Sequence, residues 1–173
     1  MNNKKRMMYL VDEDYYFIII KILLILDALG RGKSKFIDYR KLSFIIEFIK
    51  DDSTMKLFRE SIEHNKSSKL HIDERLFTVY YNANMQQSLI KRVLFFLEKR
   101  QLIVLFKNDK YACIDVSIVD NKEINEVLSS SIFNEDKEHI NEIRQNINKI
   151  KSIKYDTFIE KVFGNREVSK WDI

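Results

Sequence analysis

Apolar positions recur at spacings of three and four along most of the chain, and alternate in one short stretch. The most apolar segment runs from Tyr15 to Leu29, interrupted only by Lys21 and Asp27. At about 100° per residue, Ile18, Ile19, Ile20, Leu23 and Leu24 point to all sides of a helix, which predicts burial on most of its surface. The segment falls short of the roughly 20 apolar residues that a bilayer requires. Gly30 is placed to close it in the left-handed conformation. Asp38 is a candidate cap for a second helix, Tyr39 to Lys50, with Leu42, Ile45, Ile46 and Ile49 on one side. Asp51, Asp52 and Ser53 break that helix and offer a cap for a third, marked by Met55, Leu57, Phe58 and Ile62. The polar run from His64 to Lys69 reads as a loop.

The middle of the chain carries the most specific pattern. Asp73 can cap a short helix bearing Leu76, Phe77, Tyr80 and Tyr81. Asn82, Ala83 and Asn84 predict a turn, and a helix from Met85 to Arg100 follows with Leu89, Ile90, Val93, Leu94 and Leu97 on one face. Two strands come next, Leu102 to Phe106 and Tyr111 to Ile118. In the second, Ala112, Ile114, Val116 and Ile118 alternate toward one side, and Lys107 to Lys110 form the hairpin loop. Helix, turn, helix and two-stranded wing is the order of a winged helix-turn-helix. Beyond it, Lys122 to Ser129 predicts a short helix. From Glu135 to Lys151 a narrow seam of Ile140, Ile143, Ile147 and Ile150 has coiled-coil spacing. Tyr155, Phe158, Ile159, Val162 and Phe163 mark a last amphipathic stretch before Gly164. The fold class expected is mainly α (α+β). A helical and winged-helix core domain, in which core helices precede the winged helix-turn-helix, spans residues 1–120, and a helical C-terminal extension spans 121–173.

Composition sharpens this picture only slightly. Three glycines and no proline in 173 residues argue against turn-rich all-β and linker architectures. A lone cysteine excludes a disulfide framework. With no secretory pattern at the start, it leads us to expect a cytoplasmic protein with no membrane partner. The net charge of +4 comes from 30 basic against 26 acidic residues, so the surface is mixed and does not by itself indicate nucleic acid. The short basic start, Asn2 to Arg6, reads as a solvated end.

Catalytic signatures are missing. Gly30-Arg31-Gly32-Lys33-Ser34 ends like a phosphate-binding loop, but Asp27 stands where that loop needs its first glycine, and a helix precedes it where a strand should. His64, His71 and His139 lack metal-ligand spacing among themselves. Cys113, between Ala112 and Ile114, reads as a half-buried structural thiol. The carboxylate runs Asp12-Glu13-Asp14 and Asp51-Asp52 are explained by helix starts. The sequence therefore points to a protein that is not an enzyme and that carries no cofactor or metal.

The helix before the wing separates two functional readings. With Leu89 to Leu97 facing the core, the outward side carries Ser88, Lys91, Phe95, Glu98 and Lys99. A helix in the major groove would offer Arg, Lys, Asn or Gln to bases and phosphates. Phe95 at the centre and the acidic Glu98 fit a protein contact better. The segment Leu23-Leu24-Ile25-Leu26-Asp27-Ala28-Leu29-Gly30, with Gly32-Lys33, Ile37-Asp38 and Lys41-Leu42-Ser43-Phe44, resembles the opening of the middle component of ABC-three-component systems. That family includes the small subunit of Lamassu-type antiphage complexes. The block from Ile90 to Ile103 is similar to the family's second conserved stretch. The resemblance implies a non-catalytic adaptor between an ABC/SMC-like ATPase with a long coiled coil and an effector such as a nuclease. Double-stranded DNA would then be reached through the complex. On face geometry, the expected partner contacts are Lys91, Phe95, Ile140, Ile143, Ile147, Ile150 and Trp171. The alternative is a winged-helix DNA-binding transcriptional regulator, reading bases with Gln86, Gln87, Lys91 and Arg92. Gln87, Arg92 and the wing residues Lys107 and Lys110 would then touch the DNA backbone.

Overall fold

The computed structural model of the chain describes residues 3–30, 35–64 and 74–164. Helix α1 spans Asn3–Gly30, α2 Arg40–Phe48, α3 Asp52–His64 and α4 Glu74–Lys99. Strands β1 (Ile103–Asn108) and β2 (Cys113–Ile118) follow, then α5 (Lys122–Leu128), a 3-10 turn at Ser131–Phe133, α6 (Asn134–Asn146) and α7 (Tyr155–Phe163). The architecture is mainly helical with one small antiparallel sheet. Among the described residues no helix is long and apolar enough to cross a membrane.

Residues 21–26 of α1 are buried without interruption, as a helix apolar on all sides requires. The helix begins at Asn3, so Asp12, Glu13 and Asp14 lie well inside it and do not cap its start. Gly30 is its last residue. At the α2–α3 junction the Asp51 carboxylate accepts the Thr54 N–H at 2.8 Å, and the Thr54 hydroxyl accepts the Asp51 N–H at 3.3 Å. This is a reciprocal cap. Phe44 sits at the centre of the core, with ring centroids of Tyr80, Tyr155, Phe158 and Phe163 between 5.6 and 6.0 Å away. A single hydrophobic cluster draws on α1 to α4, the sheet, α6 and α7, and so on both sides of residue 120.

Three expectations are corrected. The turn at Asn82-Ala83-Asn84 does not form, because α4 runs unbroken through it. Two asparagines disfavour a helix by about 0.7 kcal/mol each at most. Burying Leu76, Val79, Tyr80 and Ala83 on the side facing the core contributes about 1.5–3 kcal/mol for each large side chain, so packing wins. The hairpin loop lies two residues later than its lysines suggest. Asn108 pairs with Cys113, and Ala112 takes the left-handed conformation at φ 48°. In β2 the buried residues are Cys113, Asp115 and Val116, while Ala112 is an exposed turn residue. Both faces of this strand are covered, which defeats a simple alternation. The edge of β2 is occupied by residue 36: Phe36 N–H donates to Val116 O at 2.7 Å, and Val116 N–H returns a bond to Phe36 O at 2.9 Å.

Candidate functional site

The outer side of α4 is set by its inner side. Ile90, Val93, Leu94 and Leu97 are each no more than 1% exposed, which turns Ser88, Lys91, Arg92, Phe95, Phe96, Lys99 and Arg100 outward. Phe95 is 49% exposed, a large fraction for an aromatic ring in the middle of a helix. Phe96 meets the Tyr15 ring of α1 edge-on at 6.1 Å and carries the Arg100 guanidinium at 5.3 Å. About three to five turns earlier on the same helix, Phe77, Tyr81 and Met85 are also exposed, at the four-residue spacing that lines up one face. Tyr16 and Phe17 of α1 are exposed as well. Glu98 keeps its negative charge beside these cations, but its carboxylate is turned toward the sheet. Its Oε1 accepts the Leu105 N–H at 3.0 Å and so fastens the end of α4 to β1.

The residues expected to read DNA are placed differently. Gln86 Nε2 donates to Glu47 Oε1 at 2.6 Å, and Gln87 Nε2 donates to Asn84 Oδ1 at 2.9 Å. Both carboxamides are thus engaged within the chain, while Lys91 and Arg92 point to solvent. In the hairpin, Lys107 pairs with Asp109 at 2.7 Å with both groups exposed, and the Lys110 ammonium lies 5.3 Å from the Tyr111 ring centroid.

The isoleucine seam is not a free surface. Ile140, Ile143, Ile147 and Ile150 are at most 2% exposed. The helix ends at Asn146, Ile147 is extended, and Lys149 turns the chain at φ 57°, so the expected helix to Lys151 stops a turn early. Ile150 O accepts from Lys41 of α2, and helix α6, which carries Ile140 and Ile143, packs against the chain's own α1. Lys21 of α1 pairs with Asp136 of α6 at this contact. Trp171 lies outside the described residues.

A buried polar cluster holds the start of α2, the sheet and the α6–α7 connection together. Asp38, at φ 62°, receives the Arg40 guanidinium through both oxygens, at 2.9 and 2.6 Å, and its Oδ1 accepts the Arg40 N–H. Its own N–H donates to Asp115 Oδ1 at 3.1 Å, and Asn108 Nδ2 donates to the other oxygen of Asp115 at 2.8 Å. Lys41 is fully buried. Its ammonium donates to Ile150 O at 2.7 Å and Ile153 O at 2.8 Å, over the Phe36 ring at 4.7 Å. Burial lowers the Lys41 ammonium to about 7, against the opposing pull of Asp38 and Asp115. Burial, with the nearby Asp38 and Asp115 carboxylates, pushes the Cys113 thiol up to about 11, which makes it a poor nucleophile at neutral pH. Cys113 is buried, more completely than a half-buried thiol. The hydrogen bonds of this cluster tie α2, the sheet and the α6–α7 connection together.

Sequence spacing shows no metal set, but the fold assembles one group of suitable donors among the described residues. Atoms of Asp52, Glu135 and His139 lie within 4.8 Å of one another, and His139 Nε2 is 3.2 Å from Asp52 Oδ1. Glu135 and His139 are one turn apart on α6, whereas Asp52 opens α3, so no local motif signals them. One imidazole and two carboxylates could hold a divalent ion. Both carboxylates are exposed. No protein-family model, curated protein or solved structure matches this chain.

Proposed function

We propose that this chain is a non-catalytic adaptor that docks a partner protein on the outer face of α4. The observation that carries the reading is Phe95, half exposed in the middle of a helix and flanked by Lys91, Arg92, Lys99 and Arg100, all exposed. An aromatic anchor ringed by cations fits an acidic amphipathic surface on another polypeptide. The assembly we infer is a bacterial antiphage or anti-plasmid complex, in which the chain bridges an ABC/SMC-like ATPase and an effector such as a nuclease in the cytoplasm. The resemblance in residues 23–44 and 90–103 supports that setting.

We read the unit from Phe36 to Ile118 as a winged-helix variant. Phe36 on β2, and β2 on β1, gives a small sheet behind the helices, as a wing requires. The long uninterrupted α4 is the departure from that pattern. The same unit supports the alternative of a DNA-binding regulator, through Lys91 and Arg92, but both glutamines that would read bases are occupied.

The test is to look for an ABC/SMC-like ATPase gene beside this chain's own and to co-purify the two products. Phe95→Ala should weaken assembly about tenfold or more, as loss of a central aromatic anchor does. If Phe95→Ala leaves assembly intact while the chain alone binds one duplex sequence tightly at physiological salt, the regulator reading replaces this one.

A further inference from the structure

Between α1, α2 and α4 lies a cavity of about 360 Å³, lined by Phe17, Ile18, Ile46, Glu47, Lys50, Gln86 and Leu89. Phe17, Ile18, Ile46 and Leu89 supply its apolar side, Glu47 and Gln86 its polar side, and Lys50 is exposed to solvent. Glu47 is 3% exposed and accepts one hydrogen bond from Gln86 Nε2 at 2.6 Å. That bond fixes the carboxamide, because a flip would set its oxygen against the carboxylate. Gln86 Oε1 is therefore left buried without a donor. Among the described residues no cation lies within ion-pair distance of Glu47. Lys50 lines the same cavity without reaching the carboxylate, and Lys21, over the Phe17 ring at 4.9 Å, is committed to Asp136. A buried carboxylate without a countercharge, next to a buried acceptor without a donor, is an arrangement that a bound group carrying N–H donors can complete.

We propose that this cavity binds an alkylguanidinium group. The planar head carries several N–H donors, enough to pair with the Glu47 carboxylate and also reach Gln86 Oε1. The apolar stem would lie against Ile18, Ile46 and Leu89. The exposed Lys50 opposes a second positive charge on the ligand. The site stands independently of the docking face on α4.

The probe is n-butylguanidinium, titrated into the full chain while the methyl resonances of Ile18, Ile46 and Leu89 are followed by NMR. Saturable shifts at these methyls are expected, with the neutral isostere n-butylurea and the anion pentanoate at least about tenfold weaker, the loss that removing a charge-assisted hydrogen bond entails. Glu47→Gln should remove that preference. Lys50→Ala, at an exposed position that leaves folding intact, should tighten the cation about two- to threefold by removing a like charge. A short peptide with a central arginine separates the two sources of the group. Binding tighter than butylguanidinium assigns the site to a partner's arginine, and weaker binding assigns it to a free small molecule. The proposal is overturned by no saturable shift up to about 20 mM probe, a generous ceiling for a ligand of that size, or by equal affinity for the urea. It is also overturned by an unchanged preference in natively folded Glu47→Gln. If that variant does not fold, unchanged binding in Lys50→Ala overturns it.

Discussion

The outer face of α4 and the isoleucine seam of α6 both read, from sequence, as apolar surfaces awaiting a partner, and the fold treats them in opposite ways. The seam is a narrow line of isoleucines along and just after an otherwise polar helix that packs on α1, and all four are buried inside the chain. On α4 a complete apolar face is already buried, so the half-exposed Phe95 is surplus to the core. An apolar stripe that supplies a helix's only inward face belongs to the fold. One that remains after the inward face is filled is available for binding.

This contrast requires α4 to be one helix, since a turn at 82–84 would split its outer face. Ala83→Pro should destabilise the protein by about 3 kcal/mol or more, the effect of proline in a helix interior. A variant with unchanged urea midpoint would restore the turn and dissolve the continuous face. Ile143→Ala should cost about 2–5 kcal/mol as a core truncation, whereas Phe95→Ala should shift stability by no more than about 0.5 kcal/mol, as a surface substitution does. Chemical denaturation of the pair checks this, and the reverse order would exchange the roles of the two stripes.

A smaller effect concerns the polar cluster that braces the seam's end. The Lys41 ammonium, lowered to about 7, binds fewer protons in the folded than in the unfolded state above that pH. Stability should therefore rise between about pH 7 and 8.5, with a slope of at most about 1.4 kcal/mol per pH unit. The gain is lost as pH falls toward 7. Above that window the raised Cys113 thiol acts in the opposite sense. Lys41→Met should flatten the slope, which denaturation at several pH values reads directly.

Patterns internal to one element were legible in the sequence. The inward face of α4 from Leu89 to Leu97, the outward Phe95, the break and cap at Asp51, and the hairpin with its neighbouring helices all follow from spacing. Effects that join distant residues were not. Lys21 meets Asp136, Arg59 meets Glu142 through a 2.8 Å bond, and Gln86 meets Glu47 across 39 positions. The unbroken α4 was hidden because asparagine's local preference is weak and the packing that overrides it comes from α2. The buried start of α2 was hidden because Asp38, Arg40 and Lys41 look like an ordinary polar helix entry until β2 and the α6–α7 connection close over them.

The lysine of α2 has its acceptors more than a hundred residues downstream, at Ile150 and Ile153. While the chain is being synthesised, the first four helices and the hairpin can emerge, but the interior around Phe44 stays open and Lys41 stays wet until the residues after α6 arrive. A message truncated before residue 150 would therefore yield a product with no finished interior, a substrate for proteolysis rather than a shorter working protein.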